Sequence, residues 1–368
     1  MKKAFTMTFC LAAFLALIMA CTPPAAGLPG DGALTPAGSF SDPALMGFPL
    51  GVAVSPDGRH VYVAAGDLTM AVFWFTKDQD GNLHYAGKYD GPEIDGAYAV
   101  TVSPDGRNVY VAAWDAGSVT TFSRELYTGA LMYVSTYASA DIAGADWVTV
   151  SPDGKNVYAA AYDANAVAWF TRSPADGSLS YGGRYSSAVC AGADFTVVSP
   201  DGKFVYVTAD AVNYVSWFSR DAADGSLAIA GAYADLATVG MPYGVTIPSS
   251  GNYAYVSSFW NDSIARFARD SESGVLTYLD SYTDHDILDH VNRLELSPDG
   301  RHLYVTTLGD TALAWFEVNA ADGSLAYADC VAPTGITGCQ ALALSPDGSR
   351  VYTVAPDDDT LLWFSRNR

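Results

Sequence analysis

The chain has 368 residues, of which 40 are acidic and 19 are basic, so its formal net charge is −21. This excess of negative charge argues against nucleic acid or an anionic lipid surface as the main partner. Half of the residues are hydrophobic, which is enough for the large core of a soluble domain. The excess of acidic residues favours a solvated acidic surface over a cation-binding surface.

The first 32 residues predict export and anchoring rather than folded structure. Two lysines precede an apolar run that ends at Ala20, so we interpret residues 1–20 as a lipoprotein-type signal peptide. Cys21 closes a lipobox-like Ile-Met-Ala-Cys segment and is the expected lipidation site. Residues 21–32 are rich in Pro, Gly and Ala and predict a tether. We therefore expect a lipoprotein of the outer or cytoplasmic membrane that faces the periplasm or the cell surface, with ordinary secretion as the alternative.

Residues 33–368 consist of one repeated unit. The tetrapeptide Ser-Pro-Asp-Gly, degenerate in one copy, recurs every 48 or 49 residues. Its glycines are Gly58, Gly106, Gly154, Gly202, Gly251, Gly300 and Gly348. Repeats of this length that are built from short strands are typical of propellers. The sequence therefore predicts one all-β domain, a seven-bladed β-propeller with four antiparallel strands in each blade.

The third repeat shows the four predicted strands, which cover residues 148–150, 156–161, 166–172 and 178–185. Ser-Pro-Asp-Gly joins the first two as a hairpin turn, because proline presets one φ and glycine accepts a positive φ. The chain ends after the third strand of the seventh repeat, and residues 34–40 have the pattern of a fourth strand. We expect this N-terminal strand to pair with residues 361–365, which closes the ring.

Three cysteines follow Cys21, and export permits disulfide bonds. Cys330 and Cys339 bracket one short loop between repeats, so the sequence predicts a disulfide between them. Cys190 is left without a partner and has no metal-ligand spacing around it.

The repeat Pro-x-x-Val-x-Val-Ser-Pro-Asp-Gly-Arg-x-Val-Tyr-Val-Ala resembles the seven-bladed β-propeller lactonase family and the related YVTN-type surface propellers. The resemblance implies a lactone site at one end of the central channel, where that family carries Pro-Arg-His before one innermost strand. None of the corresponding tripeptides in this chain is Pro-Arg-His. They begin at Pro49, Ala97, Ala145, Ala193, Pro242, Val291 and Cys339.

Strand direction places the loops that enter each first strand at the end of the channel opposite the Ser-Pro-Asp-Gly turns. The residues expected to converge there and bind a ligand are Tyr98, Asp146, Trp147, Asp194, Tyr243, Asn292 and Gln340. A rim of aspartates should surround them, contributed by the loops between second and third strands: Asp67, Asp115, Asp163, Asp210, Asp262, Asp310 and Asp357 to Asp359. Two roles are open for these aspartates. One is turn formation, since aspartate is a common turn residue; the other is binding of a divalent cation such as calcium.

The loop at residues 284–295 departs most from the repeat and supplies the candidate catalytic residues Arg293, His290 and Glu295. Arg293 and Glu295 are two residues apart on a predicted strand, which favours a salt bridge between them. The catalytic alternative uses Arg293 to hold a carbonyl or carboxylate and His290 or Glu295 as a general base. His285, Asp286 and Asp289 are a further possible cation site, without compact metal-ligand spacing.

Two functions follow from these observations. The missing Pro-Arg-His favours a monomeric propeller that binds a small molecule or a protein at the cell envelope, without a cofactor. The alternative is a lactone hydrolase, such as the 6-phosphogluconolactonase-like activity that the resemblance implies. In either case the Ser-Pro-Asp-Gly turns are scaffold, and the site lies at the opposite end of the channel.

Overall fold

The computed structural model describes residues 30–67, 69–309 and 313–368. The predicted signal peptide, Cys21 and most of the predicted tether lie outside the described residues, as does the rim aspartate Asp310. Within the described residues, no helix is both long and apolar enough to cross a membrane.

Seven sheets of four antiparallel strands confirm the predicted propeller. The innermost strands are β2 (Pro49–Val54), β6 (Ala97–Val102), β10 (Ala145–Val150), β14 (Ala193–Val198), β18 (Pro242–Thr246), β22 (Val291–Leu296) and β26 (Ala341–Leu344). The second strands are β3 (His60–Ala65), β7 (Asn108–Ala113), β11 (Asn156–Ala161), β15 (Phe204–Ala209), β19 (Tyr253–Ser258), β23 (His302–Thr307) and β27 (Arg350–Ala355).

The third strands are β4 (Ala71–Lys77), β8 (Ser118–Arg124), β12 (Ala166–Arg172), β16 (Tyr214–Arg220), β20 (Ser263–Arg269), β24 (Leu313–Val318) and β28 (Thr360–Arg366). The outermost strands are β5 (Leu83–Tyr89), β9 (Leu131–Ala138), β13 (Leu179–Ser186), β17 (Leu227–Ala234), β21 (Leu276–Thr283), β25 (Leu325–Val331) and, in blade 7, β1 (Leu34–Ser41). Short 3-10 helices cover Pro92–Ile94, Ala140–Ile142, Ala188–Cys190, Asp210–Val212, Phe259–Asn261 and Pro356–Asp358. Each innermost strand contacts the innermost strand of the next blade, and β26 returns to β2, so the ring is closed.

The Ser-Pro-Asp-Gly turn folds through local hydrogen bonds, as blade 1 shows. The Ser55 hydroxyl accepts from the His60 N–H at 3.0 Å and donates to the Asp57 carboxylate at 2.5 Å. The Gly58 N–H donates to the Ser55 carbonyl at 2.8 Å, and Gly58 has φ 67°, a left-handed conformation that favours glycine. The motif is therefore a self-contained hairpin turn. We call the end of the ring that carries these turns the turn face, and the opposite end the mouth face.

The predicted ring closure by an N-terminal strand is confirmed. β1 pairs antiparallel with β28 from Leu34 opposite Arg366 to Ser41 opposite Thr360. The residues before β1 take the place of the turn that joins the third and fourth strands in other blades. In this segment the Gly32 carbonyl accepts a hydrogen bond of 2.7 Å from the Tyr304 hydroxyl. Residues 30–32, expected in the tether, thus already pack on the propeller.

The hydrophobic core lies between neighbouring blades. One cluster combines Val52 and Phe73 of blade 1 with Tyr352 and Trp363 of blade 7, all nearly inaccessible to solvent. Equivalent clusters fill the other joints, because the second and third strands present apolar side chains on both of their faces. The tryptophans and phenylalanines of the third strands are therefore inter-blade core, as their alternation predicts.

Ion pairs on the turn face connect neighbouring blades at five of the seven joints. In each of these turn-face ion pairs, the arginine at the end of a third strand binds the turn aspartate of the preceding blade. The pairs are Arg124–Asp57, Arg172–Asp105, Arg220–Asp153, Arg269–Asp201 and Arg366–Asp299, at 2.8 to 3.0 Å. Each guanidinium also donates to the hydroxyl of a buried tyrosine, as Arg220 does to Tyr158 at 2.9 Å.

Two joints differ from this pattern. Between blades 7 and 1, Lys77 takes the arginine position beside Asp347. Between blades 5 and 6 both charges are absent, because Ser250 stands in the turn and Val318 ends the third strand. At that joint Arg266 instead binds Asp280 at 2.6 Å and donates to the Asp322 carbonyl at 2.5 Å.

The predicted disulfide between Cys330 and Cys339 is wrong. Cys339 carries a free thiol and is fully buried between blades 6 and 7, where its N–H donates to the Thr307 carbonyl at the end of the second strand. Cys330 lies elsewhere, on the outermost strand of blade 6, opposite Ala314. The loop between them crosses the width of the blade, so closeness in sequence does not bring the sulfurs together. Cys190 is free and buried, as expected.

Candidate functional site

A β-bulge recurs near the start of the innermost strands. In blade 3, for example, Ala145 pairs with Ala161 and Trp147 with Ala160, so Asp146 has no partner residue. The residues skipped in this way are Leu50, Tyr98, Asp146, Asp194, the pair Tyr243 and Gly244, and the pair Asn292 and Arg293. Bulges redirect side chains and are frequent beside active sites. Here they bring most of the predicted site residues to the mouth of the channel.

Arg293 is the central residue of this group and is only 4% exposed. Its guanidinium reaches from blade 6 past blade 5, where it donates to the Tyr243 carbonyl, and binds the Asp194 carboxylate of blade 4 at 2.6 Å. Its Cζ lies 4.7 Å from the ring centre of Trp147 and 5.1 Å from that of Phe195, within range of cation–π attraction. Arg293 thus forms the floor of the mouth.

Glu295 is not the partner of Arg293, so the predicted salt bridge is wrong. The prediction assumed regular alternation along the strand, whereas β22 contains a bulge between Val291 and Leu294 that redirects Arg293 across the channel. Glu295 remains half-buried on the innermost strand. Burial raises the pKa of Glu295 to about 8, although the Leu344 backbone N–H partly opposes this. Glu295 is therefore protonated at neutral pH.

Asp146, Asp194 and Arg293 form a buried unit that we call the mouth cluster. Asp146 is 1% exposed and Asp194 is 3% exposed. Burial, followed by the charge of Asp194, raises the pKa of Asp146 well above its usual range. Burial alone would lower the pKa of Arg293, but Asp194 and Asp146 more than offset this and raise it. Asp146 therefore favours its neutral form, which reduces the negative charge buried in the mouth cluster.

An aromatic wall rises above the mouth cluster on blades 2 and 3. The Tyr98 and Trp114 ring centres are 6.0 Å apart, and those of Trp114 and Tyr162 are 5.1 Å apart. All three side chains are partly accessible. The Gln340 amide lies 3.4 Å from the Tyr98 hydroxyl across the mouth. Burial and nearby carboxylates raise the pKa of Tyr98, so its hydroxyl stays protonated and available as a donor.

Asp210 ends this wall on blade 4. It is 5% exposed and begins the loop after the second strand. Burial and the negative charge of Asp194 raise the pKa of Asp210 to about 7, although Tyr162 and a backbone N–H favour its charged form. A carboxyl group of this kind changes protonation state near neutral pH, which suits a general acid or base.

The loop at residues 284–290 lies on the rim and is tied to blade 5. Asp262 binds the His285 imidazole at 2.6 Å and accepts from the His290 N–H at 2.9 Å. The His290 Nδ1 lies 2.9 Å from the Asp289 carboxylate, and its ring packs on Phe259 at 4.5 Å. This pairing orients the imidazole and leaves Nε2 available.

His290 has φ 56°, and this conformation recurs around the ring. Phe48 and Met241 share it at equivalent positions, where four other blades carry glycine. In blade 3, a Cβ on Gly144 would lie 2.8 Å from the Asp163 backbone nitrogen. The left-handed position therefore belongs to the fold, and its occupation by histidine is what distinguishes blade 6.

Acidic side chains surround the mouth. We call the described members of this group the acidic rim: Asp67, Asp115, Asp163, Asp262, Asp357, Asp358 and Asp359. Partial burial and the negative charges of Asp95, Asp67 and Asp163 raise the pKa of Asp115. In the part of the chain that the structure describes, no three His, Cys, Asp or Glu side chains are grouped to hold a metal ion. His285, Asp286 and Asp289 do not converge, because His285 and Asp289 have the separate partners described above.

Basic side chains collect on the opposite face. On the turn face lie Arg59, Lys77, Arg107, Arg124, Lys155, Arg172, Lys203, Arg220, Arg269, Arg301, Arg350, Arg366 and Arg368. Lys88 and Arg184 lie on outermost strands and pair with Asp90 and Asp141. Among the described lysines and arginines, Arg293 alone lies within the mouth, and it is buried and already paired. The two ends of the ring therefore carry opposite charge patterns.

Sequence reasoning missed Asp210, Trp114, Tyr162 and Phe259 as members of the site. Each of them occupies the first position of the loop between the second and third strands of its blade, whereas most rim aspartates lie one or more residues later in that loop. Asp210 was interpreted as an ordinary turn aspartate of the rim. Its displacement by one residue from Asp115 and Asp163 was the signal that set it apart.

Comparison with known proteins agrees with this architecture. A model of the family described as lactonase, 7-bladed beta-propeller, matches residues 128–243 and 282–368, more than half of the chain. The search of curated proteins gave no match.

Three solved structures illustrate the likeness in fold. A candidate 6-phosphogluconolactonase of Bacteroides fragilis is 18% identical, with a TM-score of 0.70, over 86% of this chain and 90% of that one. The periplasmic gluconolactonase of Pseudomonas aeruginosa is 19% identical (TM-score 0.66; 77% and 85%). Hydrazine synthase of Kuenenia stuttgartiensis is 16% identical (TM-score 0.67; 87% and 96%). At these identities the likeness concerns the fold alone. The family match, together with the seven-bladed ring, leads to one conclusion: the chain belongs to the seven-bladed β-propeller lactonase family.

Proposed function

We propose that the protein hydrolyses a lactone at the mouth of its central channel. The observation that carries this proposal is the position of Asp210, a nearly buried carboxyl with a pKa of about 7, at the end of an aromatic wall in a member of the lactonase family. Ester hydrolysis needs a base for water and a donor for the carbonyl oxygen, and the mouth offers candidates for both.

In the proposed reaction, a water molecule beside Asp210 attacks the lactone carbonyl carbon and transfers a proton to the carboxylate. The Tyr98 hydroxyl, beside the Gln340 amide, donates a hydrogen bond to the carbonyl oxygen as negative charge develops there. The ring C–O bond then breaks, and the leaving alkoxide takes the proton from Asp210. The product is the open hydroxy acid.

Arg293 acts as a positioning residue in this proposal. Its guanidinium is buried beneath Trp147 and Phe195 and bound to Asp194, so it holds the floor of the mouth rather than a substrate. Glu295 is protonated at neutral pH and is a poor base there. His290 remains the second candidate base, since Asp289 orients its ring at the rim.

The test is proton release from a panel of sugar-derived and acyl lactones at constant pH, with the uncatalysed rate subtracted. For the best substrate, kcat/KM should rise with pH through about 7, because Asp210 must lose its proton to act as a base. Asp210→Asn should remove this dependence and lower kcat/KM by about 100-fold. If His290→Gln has that effect instead, His290 is the base; if no lactone is hydrolysed, the proposal fails.

Binding without turnover is the second candidate function. It is favoured by the burial of Arg293, because no arginine within the described mouth is free to polarise a carbonyl oxygen. The same panel decides between the two, since calorimetry on lactones that are not hydrolysed would reveal a ligand that binds and is released unchanged.

Export and lipid anchoring at Cys21 are also proposed, on the sequence of residues 1–21 alone. The expected result is recovery of the full chain in the membrane fraction and of Cys21→Ser outside it. Equal recovery of both in the soluble fraction would reject the anchor.

A further inference from the structure

We infer that the mouth takes an uncharged lactone that carries several hydroxyl groups and discriminates against its phosphorylated counterpart. This inference rests on the proposed function and specifies its substrate class. Three features of the mouth carry it: the arrangement of charge, the unpaired acceptors beneath it and the shape of the accessible surface.

The charge arrangement opposes an anion. A phosphate ester adds about two negative charges at neutral pH, and a phosphate site normally offers arginine, lysine or a row of free N–H groups. Around this mouth the accessible charges belong to the acidic rim, where Asp115 and Asp163 are exposed. Arg293 is 4% exposed and its charge is already balanced by Asp194. A phosphate would meet repulsion without a compensating lysine or arginine, and the His285 imidazole on the rim is already paired with Asp262.

Unpaired acceptors beneath the mouth favour hydrogen-bond donors. The Oδ1 atoms of Asp146, Asp210 and Asn292 are buried and have no hydrogen-bond partner. A buried acceptor without a donor costs stability, and a polyhydroxylated ligand can supply donors directly or through ordered water. Phosphorylation of a hydroxyl replaces one donor with a group that has only acceptors to offer, so the phosphate itself cannot satisfy these atoms.

The accessible surface suits a small ring. Beside Trp114, a cleft of about 300 Å³ runs along the mouth face between blades 2 and 3, with Asp115 and Asp163 at its edges. This volume lies at the lower limit of small-molecule sites. Trp114 is the aromatic side chain in its lining on which an uncharged ring can lie flat, and the edge aspartates would face any charged substituent.

The experiment compares glucono-δ-lactone with its 6-phosphate by proton release at low ionic strength. We expect kcat/KM to be at least about tenfold higher for the uncharged lactone, and the ratio to fall towards one as salt screens the rim. The double variant Asp115→Asn, Asp163→Asn should raise kcat/KM for the phosphorylated lactone by about threefold or more relative to kcat/KM for the uncharged one.

A matched control makes the same change in charge on the turn face. Asp176 and Asp224 are exposed in turns between third and fourth strands, so Asp176→Asn with Asp224→Asn should leave the ratio of the two substrates unaltered. Equal or faster hydrolysis of the phosphorylated lactone by the unmodified protein would overturn the inference and leave the proposed function standing. Hydrolysis of neither lactone would overturn the inference, and the proposed function would fail with it only if no lactone of the wider panel is hydrolysed.

Discussion

The two ends of the ring both pair aspartate with arginine, but they do so in different ways. On the turn face the same ion pair recurs at five joints, its arginine is buried, and its aspartate, such as Asp153, is about one-third exposed. At the mouth there is one such pair, Arg293 with Asp194, and both side chains are nearly inaccessible. A second carboxyl, Asp146, lies beside it.

The difference separates scaffold from site. A repeated pair between neighbouring blades is explained by the joint that it stabilises, and each copy has the same local partners. The mouth cluster joins blades that are not neighbours and concentrates carboxyl groups where water is largely excluded, a costly arrangement that stability alone does not require. The irregular end of an otherwise regular ring is therefore where chemistry is expected.

The largest effect should come from Arg293→Met. This change leaves Asp146 and Asp194 buried without their cation, so the free energy of unfolding at pH 8 should fall by about 3–5 kcal/mol. Urea denaturation would measure it, with Arg107→Met, an exposed turn-face arginine, as the control of similar size. A loss below about 1 kcal/mol would show that the mouth cluster does not depend on this charge.

A single turn-face ion pair should matter less. Arg220→Met removes bonds to Asp153, Tyr158 and the Gly202 carbonyl, but Asp153 can be solvated in the variant. The expected loss at pH 7 is about 1–2 kcal/mol.

The loss should also depend on pH. Although burial opposes it, Ser151 and Arg220 lower the pKa of Asp153 to about 2, below its value of about 4 in the unfolded chain. The stabilisation is therefore present above pH 4 and disappears as pH falls towards 2. Unfolding curves for wild type and variant should converge at the acid end; a constant difference would contradict this explanation.

Glu295→Gln should stabilise the protein in alkaline solution. The folded-state pKa of Glu295, about 8, lies above its unfolded value of about 4. The folded protein thus binds the extra proton between these values, and stability falls as pH rises from 4 to 8. The glutamine variant should lack this decline and gain about 1 kcal/mol at pH 8, since partial solvent access reduces the full effect. Melting temperatures across that pH range would check it, and parallel profiles would refute it.

The smallest effect should come from completing the missing ion pair between blades 5 and 6. Ser250→Asp with Val318→Arg recreates the charges found at five other joints, and the expected gain is below about 1 kcal/mol. The two single variants complete a double-mutant cycle. A coupling energy of zero would mean that the pair at the other joints is incidental to joint stability.

Much of the fold follows from the repeat. The second and third strands of blade 3 were predicted to the residue, and strand β1 closes the ring where the pattern of residues 34–40 placed it. Alternation and turn chemistry are local, so a sequence displays them. The innermost strand was predicted three residues too short, because the bulge at Asp146 interrupts the alternation on which the prediction relied.

The placement of the candidate residues was predictable, but their pairings were not. Repeat alignment brought Tyr98, Asp146, Asp194 and Gln340 to the correct end of the channel. It paired Arg293 with Glu295, whereas the true partner is 99 residues away across the channel. The Cys330–Cys339 disulfide failed for the same reason: distance along the chain is a poor guide where a loop crosses a blade.

The most direct test of the account is kcat/KM for glucono-δ-lactone, measured side by side in wild type, Asp210→Asn and Asp153→Asn, with a melting temperature for each. We predict that the mouth variant loses about 100-fold in kcat/KM and keeps its melting temperature. The turn-face variant should keep kcat/KM within about twofold and melt at a lower temperature. Unchanged hydrolysis in Asp210→Asn would contradict the assignment of catalysis to the mouth. Loss of hydrolysis in Asp153→Asn, at temperatures where that variant is folded, would contradict the assignment of a purely structural role to the turns.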